Sequence, residues 1–328
     1  MKLRKHAPQS LANSVIERRL TLEFVRVTER AAIAAAGWRG KGDEMAADAA
    51  AVEAMRDELA TVAIDGRIVI GEGERDEAPM LYIGEEVGSG EGPDVDIAVD
   101  PLEGTTLCAK NQPDSICVLA MAERGGLLNA PDVYMTKVAI GADYPPGLVD
   151  LDQSPMDNVR AVAKVKGVPV TEITACVLDR PRHAALIEDL RVAGVAVKLI
   201  SDGDIAGIIH ATNTEDTGID IYLGSGGAPE GVLAAAALRC IGGQMQGRLI
   251  LDTAEKRDRA KRMGIADPNR KYAVADLASG DVLFAATGVT DGSLLAGVKL
   301  RKHHVMTSTI VMRSWSQTVR WITARHAR

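Results

Sequence analysis

The sequence TACVLDRPRHAALIEDLRVAGVAVKLIS, residues 174–201, alternates between two kinds of hydrophobic pattern. Its ends, TACVL and VAVKLIS, are short apolar runs rich in β-branched residues. Between them the apolar residues recur every three or four positions, which predicts strand, helix and strand. The alternation continues to residue 250 through DIAGIIHA (204–211), IDIYLGS (219–225), PEGVLAAAALRCIGG (229–243) and QMQGRLI (244–250). Strands separated by helices of this length predict an α/β fold with α+β layering.

The N-terminal part predicts two helices. The first spans residues 10–36 and the second follows the loop WRGKGDEM (38–45), since apolar residues recur at helical spacing in both. The two apolar stripes are Leu20, Phe24, Val27 and Ala31, then Val52, Met55, Leu59 and Val62. Short strands follow at 67–70 and 96–100, and the tail contains the strands VLFAATGV and STIVMRS. We predict two subdomains, residues 1–170 and 171–328.

Composition and charge narrow the class of protein. The chain has 328 residues, 46% of them apolar, and a net charge of −7. A negative net charge disfavours binding to nucleic acid or to anionic membranes. The longest apolar run, VLAAAAL (232–238), is too short to span a bilayer, and no apolar signal segment follows the basic start. We therefore expect a cytoplasmic protein whose four cysteines, which form no CxxC pair, are reduced and buried.

Carboxylates stand where predicted strands and helices end. Glu72 lies between two glycines after the strand at 67–70, and Asp100 closes DIAVD (96–100). Ligand groups commonly follow strands in open α/β sheets. Asp48 lies one turn before the apolar stripe of the second helix, where it is either in line with the buried face or simply an acid near the helix N-terminus.

A further acid occurs in SGGAPEG (225–231). Pro229 suits a first helical position, so backbone N–H groups near Gly227 and Ala228 could bind an anion. The alternative is a plain turn from strand to helix. Glu230 could complement the helix dipole or bind a metal ion.

These acids are oxygen ligands suited to hard cations. If Asp48, Glu72, Asp100, Glu103 and Glu230 converge, their charge of −5 would repel a phosphate unless divalent cations are bound. Mg²⁺ or Mn²⁺ bridges carboxylates to phosphate oxygens, and a pair of such ions can activate water and stabilise a departing alkoxide. We therefore predict two or more Mg²⁺ or Mn²⁺ ions in the site.

The segment Glu103-Gly104-Thr105 has groups that could handle water. Gly104 allows close approach of the backbone to a phosphate. The Thr105 hydroxyl could ligate metal or orient the attacking water, with Glu103 as a neighbouring base. A single threonine in such a place can equally be an ordinary turn residue.

Two later loops could hold a second phosphate and a sugar. Arg180 and Arg182 flank Pro181 in DRPRH (179–183), and paired guanidinium groups suit a phosphate, although surface ion pairs are the alternative. In SDGD (201–204), Asp202 and Asp204 could hold sugar hydroxyls or cap a helix.

Together these motifs resemble the class II fructose-1,6-bisphosphatases, a branch of the metal-dependent, lithium-sensitive sugar phosphatase superfamily. The resemblance runs from about residue 17 to the C-terminus. It is carried in order by GKGDEMAAD, VIGEGERDEAPM, DPLEGTT, NAPDVYM, DRPRH, SDGD, GSGGAPEG and FAATGVTDG. One departure is Glu44, where many relatives carry lysine.

The resemblance implies a sugar phosphatase fold with alternating helix and sheet layers, and hydrolysis of the C1 phosphate of fructose 1,6-bisphosphate. It assigns Asp48 and Glu72 to one metal ion, and Asp100, Glu103 and Glu230 to another. Thr105 would activate the water. Substrate contacts would come from Glu103, Gly104, Thr105, Tyr134, Arg180, Pro181, Arg182, Asp202, Gly203, Asp204 and Gly227. Residues 1–170 would then be the metal-binding subdomain, and 171–328 the sugar-phosphate-binding subdomain.

Alternative functions stay open at this point. The first is dual use of sedoheptulose 1,7-bisphosphate, and the second is a sugar-phosphate sensor without turnover. An inositol or nucleotide phosphatase is disfavoured, because DRPRH and SDGD suit a second phosphate and an open sugar. The resemblance also implies a role in gluconeogenesis or Calvin-type carbon metabolism and a homodimer or homotetramer.

Overall fold

The computed structural model describes residues 16, 18–73 and 80–328, and its elements are numbered here in chain order. The helices are α1 (Leu20–Ala36), α2 (Glu44–Leu59), α3 (Thr105–Ala109), α4 (Pro155–Lys166), α5 (Ala184–Val192), α6 (Asp204–His210), α7 (Thr214–Thr217), α8 (Ala228–Ile241), α9 (Ala254–Arg262) and α10 (Val274–Leu277). The strands are β1 (Asp65–Ile70), β2 (Glu86–Val87), β3 (Asp94–Glu103), β4 (Ile116–Glu123), β5 (Tyr134–Ile140), β6 (Thr174–Leu178), β7 (Ala196–Ile200), β8 (Ile221–Gly227), β9 (Gln244–Leu249), β10 (Tyr272–Ala273), β11 (Val282–Gly288), β12 (Lys299–Leu300), β13 (His304–Arg313) and β14 (Thr318–Ala327).

The chain divides into two compact units. The first contains the described residues up to Leu128 together with Ala278–Arg328, and the second is Asn129–Leu277. The boundary predicted between 1–170 and 171–328 lies inside the second unit. The reason is that β5, which precedes residue 170, is hydrogen-bonded to both β8 and β9. The C-terminal strands return to the sheet of the first unit.

The first unit is built on a sheet with the order β12-β13-β11-β4-β3-β1-β2, and β14 adds to β13. β1 and β3 are parallel, whereas β3, β4, β11 and β13 are antiparallel neighbours. α1 and α2 bury their apolar stripes in one core with residues of this sheet. Val62 is also buried but lies beyond the end of α2. Residues 10–15 and 17 of the predicted first helix lie outside the described part of the chain.

The second unit contains a mixed sheet with the order β10-β9-β5-β8-β6-β7. β6 runs parallel to β7 and β8, while β5 is antiparallel to β8 and β9. The four strands predicted between residues 174 and 250 are present as β6 to β9, with α5, α6 and α8 between them. The predicted α/β class is therefore confirmed.

Two smaller predictions can also be compared with the structure. Cys108, Cys117, Cys176 and Cys240 are free and buried, as predicted. No helix of the described residues is both long enough and apolar enough to cross a membrane.

Candidate active site

Asp48 and Glu72 bring two carboxylates together in the first unit. Asp48 lies in the second turn of α2, whose N-terminus is capped by Asp43 accepting the Ala46 N–H at 2.9 Å. Glu72 follows β1. Burial, and next the charge of Asp48, raise the pKa of Glu72 to about 7. Burial also raises the pKa of Asp48. Each side chain therefore resists ionisation in the absence of a nearby positive charge.

Asp100 and Glu103 lie on the same strand, which corrects the prediction that the strand ends at Asp100. β3 continues through Pro101 to Glu103. The register to β4 shifts on the way, since Asp100 pairs with Val118 but Glu103 pairs with Ile116. Such a bulge tolerates proline and changes the direction of side chains. Asp100 stays partly exposed, whereas Glu103 is buried.

Gly104 and Thr105 follow as the turn into α3. Gly104 has φ +80°, and a Cβ there would stand 2.9 Å from the Leu107 side chain, so glycine is required on two counts. Ser115 fixes the preceding peptide, because its Oγ donates to the Glu103 carbonyl oxygen at 3.1 Å. Thr105 is the first residue of α3 and is partly exposed. Thr105 therefore lies two residues after Glu103, on a turn whose preceding peptide is held by Ser115.

The Cys117 thiol lies close enough to Asp48 of α2 and Asp100 of β3 to be affected by both charges. Burial raises the pKa of the Cys117 thiol, and the charges of Asp100, Cys108 and Asp48 add to the rise. Within residues 16, 18–73 and 80–328, no three His, Cys, Asp or Glu side chains already form a metal-binding group. Asp48 thus lies near Glu72, and both Asp48 and Asp100 lie near Cys117, although the described residues form no complete metal-binding group. The motif residues 74–79 lie outside the described chain.

In the second unit, Gly227 and Glu230 fit together at the start of α8. A Cβ on Gly227 would lie 1.9 Å from Glu230 Oε2, so the carboxylate folds back over the glycine. Burial, and next the charge of Asp204, raise the pKa of Glu230, while Lys137 opposes the rise. The Ala228 N–H donates to the Val133 carbonyl oxygen at 2.8 Å. The Ala228 N–H is therefore not available to an anion, which for this residue favours the alternative of a plain turn from strand to helix.

Lys137, which the sequence did not single out, contacts the predicted substrate-binding residue Asp204. It lies in β5, fully buried, and its Nζ is 2.5 Å from Oδ2 of the equally buried Asp204. Tyr222 Oη donates to the same oxygen at 3.3 Å. Gly203, with φ +82°, precedes Asp204 at the start of α6. The signal available in the sequence was a lysine at a core-facing position of an apolar strand.

Arg182 is held against Tyr134. The guanidinium carbon lies 4.5 Å from the centre of the Tyr134 ring, and the ring remains about half exposed. Arg182 also donates through Nη2 to the Ser225 carbonyl oxygen at 2.7 Å and through Nε to Ser225 Oγ at 3.1 Å. Two predicted substrate-binding residues are therefore side by side in the second unit.

Arg180 is placed differently from its neighbour. Its Nη2 lies 3.3 Å from Asp202 Oδ1, and its Nη1 donates to the Ser201 carbonyl oxygen. The alternative of a surface ion pair thus describes Arg180 in this structure. Pro181 begins a short 3₁₀ turn, Pro181–His183, which follows Arg180 and contains Arg182.

His183 is a second residue that the sequence did not single out. Its Nδ1 lies 2.8 Å from the Leu178 carbonyl oxygen, and its Nε2 accepts the Ser225 N–H at 2.9 Å. Burial lowers the pKa of His183, which favours the neutral ring with the proton on Nδ1. The buried ring therefore fixes Ser225, which in turn holds Arg182.

Comparison with known proteins identifies the family. The model of the bacterial fructose-1,6-bisphosphatase family, described as glpX-encoded, matches residues 18–326. This chain belongs to that family. The resemblance drawn from the motifs, to the class II fructose-1,6-bisphosphatases, is thereby confirmed.

Several curated relatives match this chain over almost its whole length. A protein of Synechococcus sp. (strain JA-3-3Ab) is 48% identical over 95% of this chain and 96% of its own length. One from Prochlorococcus marinus (strain NATL1A) is 47% identical over 95% and 97%. Both carry the name D-fructose 1,6-bisphosphatase class 2/sedoheptulose 1,7-bisphosphatase. Among solved structures, the inositol monophosphatase from Anabaena (Nostoc) sp. PCC 7120 matches 60% of this chain and 72% of its own. The match has 12% sequence identity and a TM-score of 0.31, so the structural similarity is weak.

Proposed function

We propose that this chain hydrolyses the C1 phosphate ester of fructose 1,6-bisphosphate to fructose 6-phosphate and phosphate in a metal-dependent reaction. The observation that carries the proposal is the pair Asp48 and Glu72, where burial and the neighbouring charge raise the pKa of Glu72 to about 7. Such a pair is neutralised either by a proton or by a bound cation, and a cation next to a phosphate is what phosphoryl transfer requires. Membership of the bacterial fructose-1,6-bisphosphatase family supports the substrate.

The donor set fits a hard divalent ion. All the proposed ligands are carboxylates, and Mg²⁺ or Mn²⁺ prefers oxygen ligands over the buried thiol of Cys117 nearby. We assign Asp48 and Glu72 to one ion, and Asp100, Glu103 and Glu230 to another. When bound, such ions lower the pKa of water and neutralise phosphoryl oxygens.

Thr105 and Glu103 are the residues proposed to orient and deprotonate the attacking water. Thr105 opens α3 next to the bulged end of β3, where the Glu103 peptide is fixed by Ser115. The Thr105 hydroxyl would orient the water for in-line attack, and the Glu103 carboxylate would accept its proton. Gly104 lets the backbone approach the transferred phosphate.

The second unit supplies the groups proposed for the sugar and the distal phosphate. Arg182, supported by Tyr134 and Ser225, has a fixed guanidinium orientation suited to a phosphate. Arg180 precedes the 3₁₀ turn that contains Arg182, and Pro181 begins that turn. The segment Asp202, Gly203 and Asp204 would receive sugar hydroxyls, and Gly227 would lie against the substrate. Binding the distal phosphate positions the ester at C1 and can lower its barrier.

A second substrate is favoured by one observation. The relatives that match at 47–48% identity are named for both fructose 1,6-bisphosphate and sedoheptulose 1,7-bisphosphate. Dual use is therefore the alternative activity, and a sugar-phosphate sensor without turnover is the non-enzymatic one. We retain a cytoplasmic homodimer or homotetramer in gluconeogenesis or Calvin-type metabolism as predictions.

The test is phosphate release from purified protein with fructose 1,6-bisphosphate, sedoheptulose 1,7-bisphosphate and inositol 1-phosphate, each with Mg²⁺, Mn²⁺ or EDTA. Metal-dependent release from fructose 1,6-bisphosphate is the expected result. Release from the sedoheptulose ester as well establishes dual use. No release from either sugar bisphosphate, with metal binding intact, contradicts the proposed activity.

A further inference from the structure

The buried pair Lys137 and Asp204 stands in a space that glycines leave open. A Cβ on Gly226 would lie 2.0 Å from Asp204 Oδ2 and 3.2 Å from Lys137 Nζ. A Cβ on Gly231, in the first turns of α8, would lie 3.5 Å from Lys137 Cε. The distance at Gly231 is an ordinary contact, so the ion pair depends on Gly226 in β8, where no larger residue fits without moving the pair.

The two oxygens of Asp204 are used unequally. Oδ2 receives both the Lys137 ammonium at 2.5 Å and the Tyr222 hydroxyl at 3.3 Å. Oδ1 is buried, and among the described residues it has no hydrogen-bond partner. A buried carboxylate oxygen without a donor is costly, unless a ligand supplies the donor. The arrangement thus leaves Oδ1 as the acceptor of this carboxylate that the described residues do not use.

Stability alone is a weak reason for this arrangement. Removing two charges from water costs about as much as their attraction returns, so a buried ion pair adds little net stability. The position is also unfavourable for a cation, because the N-terminus of α8 carries a positive partial charge. Lys137 does, however, oppose the negative charges of Asp204 and Glu230. That balance lowers the repulsion that an anionic ligand would otherwise meet.

We propose that Lys137 is a positioning residue for the sugar. Together with Tyr222 it fixes Asp204 through Oδ2, so that Oδ1 is the acceptor for one hydroxyl of the bound sugar. The inference rests on the proposed function, since it takes the ligand of this unit to be a sugar phosphate. Lys137 itself does not touch the ligand and acts through Asp204.

The test compares three variants by calorimetry with fructose 6-phosphate and with inorganic phosphate as separate probes. Lys137→Met keeps an unbranched side chain without the charge, and Tyr222→Phe removes only the hydroxyl. Lys166→Met is the matched control, because Lys166 pairs at 2.7 Å with the fully buried Asp220 in the same unit. Mn²⁺ binding, followed by electron paramagnetic resonance, and thermal unfolding are measured for each protein.

We expect Lys137→Met to weaken fructose 6-phosphate binding and to raise KM for the bisphosphate by about 10-fold or more, with a smaller effect on kcat. Tyr222→Phe should act in the same direction but less. Inorganic phosphate should lose less affinity than the sugar phosphate, because it offers no sugar hydroxyl. Lys166→Met should lower the unfolding temperature and leave sugar affinity unchanged.

Unchanged fructose 6-phosphate affinity in Lys137→Met overturns the inference. An equal loss of affinity for fructose 6-phosphate and for inorganic phosphate in that variant also overturns it. So does a loss of fructose 6-phosphate affinity in Lys166→Met that equals the loss in Lys137→Met. If Lys137→Met does not fold, unchanged affinity in Tyr222→Phe is the overturning result. Failure of the wild-type protein to release phosphate while it still binds fructose 6-phosphate removes the proposed activity and leaves this inference standing. Failure of the wild-type protein to bind fructose 6-phosphate overturns the inference as well.

Discussion

Arg182 stacks on Tyr134, with 4.5 Å between its guanidinium carbon and the centre of the ring. The two residues belong to motifs that are far apart in the sequence, DRPRH and NAPDVYM, and the fold of one unit brings them together. The contact holds a flexible arginine in one orientation next to an exposed ring, which is a suitable arrangement for receiving a phosphate.

Arg182→Lys tests that arrangement. Lysine keeps the charge but loses the paired donation to Ser225, so we expect KM for fructose 1,6-bisphosphate to rise about 10-fold with a small change in kcat. The matched control is Arg270→Lys, since Arg270 stacks on Tyr272 at 4.9 Å elsewhere in the same unit. Steady-state kinetics measures KM and kcat for both variants. An equal rise of KM in the two would refute the proposed role of Arg182 in binding the distal phosphate.

Thr105→Ala tests the handling of water. Loss of the hydroxyl should lower kcat by about 10²- to 10⁴-fold, because a positioned group in proton transfer contributes that much. Mn²⁺ affinity and fructose 6-phosphate affinity should stay near the wild-type values. Thr106→Ala, at the next position of α3, is the control and should retain activity. A nearly normal kcat in Thr105→Ala is incompatible with the role proposed for it.

The stability of the metal-free protein should depend on pH through Glu72. The pKa of Glu72 is raised from 4.5 to about 7 in the folded protein, so the folded state holds a proton that the unfolded chain has already released. This contribution to stability is complete below about pH 4.5 and is lost as the pH rises through about 7, a change of about 3 kcal/mol. Urea unfolding in EDTA at a series of pH values measures it.

Glu72→Gln should flatten that pH dependence, whereas Glu53→Gln, at an exposed position of α2, should keep it. Metal binding should show the opposite trend, with Mn²⁺ affinity increasing as the pH rises towards 8, because the ion competes with the proton. Metal-free stability that stays constant from pH 5 to pH 8 in the wild-type protein would show that Glu72 is ionised throughout.

Gly227→Ala tests the placement of Glu230. The new Cβ would lie 1.9 Å from Glu230 Oε2, and since Gly227 has φ −62°, the backbone accepts alanine without strain. We expect the fold to be retained and kcat/KM to fall about 10-fold or more as the carboxylate is displaced. Gly141→Ala is the control, because its Cβ would meet nothing closer than 3.4 Å. Full activity in Gly227→Ala would mean that the position of Glu230 is unimportant.

Local patterns predicted most elements of the fold. The strands β6 to β9 and the stripes of α1 and α2 follow from periodicity, which depends only on neighbouring residues. The division into units could not be predicted in this way. It depends on β5 pairing with β8 and β9, and on the C-terminal strands pairing back to β4, contacts that join distant parts of the chain.

The residues of the candidate site were predicted from motifs, but the residues that hold them in place were not. Glu72 and Thr105 were singled out because glycines and strand ends surround them. The extension of β3 to Glu103 was missed, since Pro101 argued for the end of a strand and only the bulge accommodates it. Lys137 and His183 were missed because their contacts are with residues distant in the sequence, Asp204 and Ser225 respectively.

The most direct measurement is ³¹P nuclear magnetic resonance of fructose 1,6-bisphosphate incubated with the wild-type protein. With Mg²⁺ or Mn²⁺ present, the resonance of the C1 phosphate should disappear as inorganic phosphate grows, while the C6 resonance persists in fructose 6-phosphate. EDTA should stop the change. A spectrum that stays constant with metal present, or the loss of the C6 phosphate instead, would contradict the proposed function.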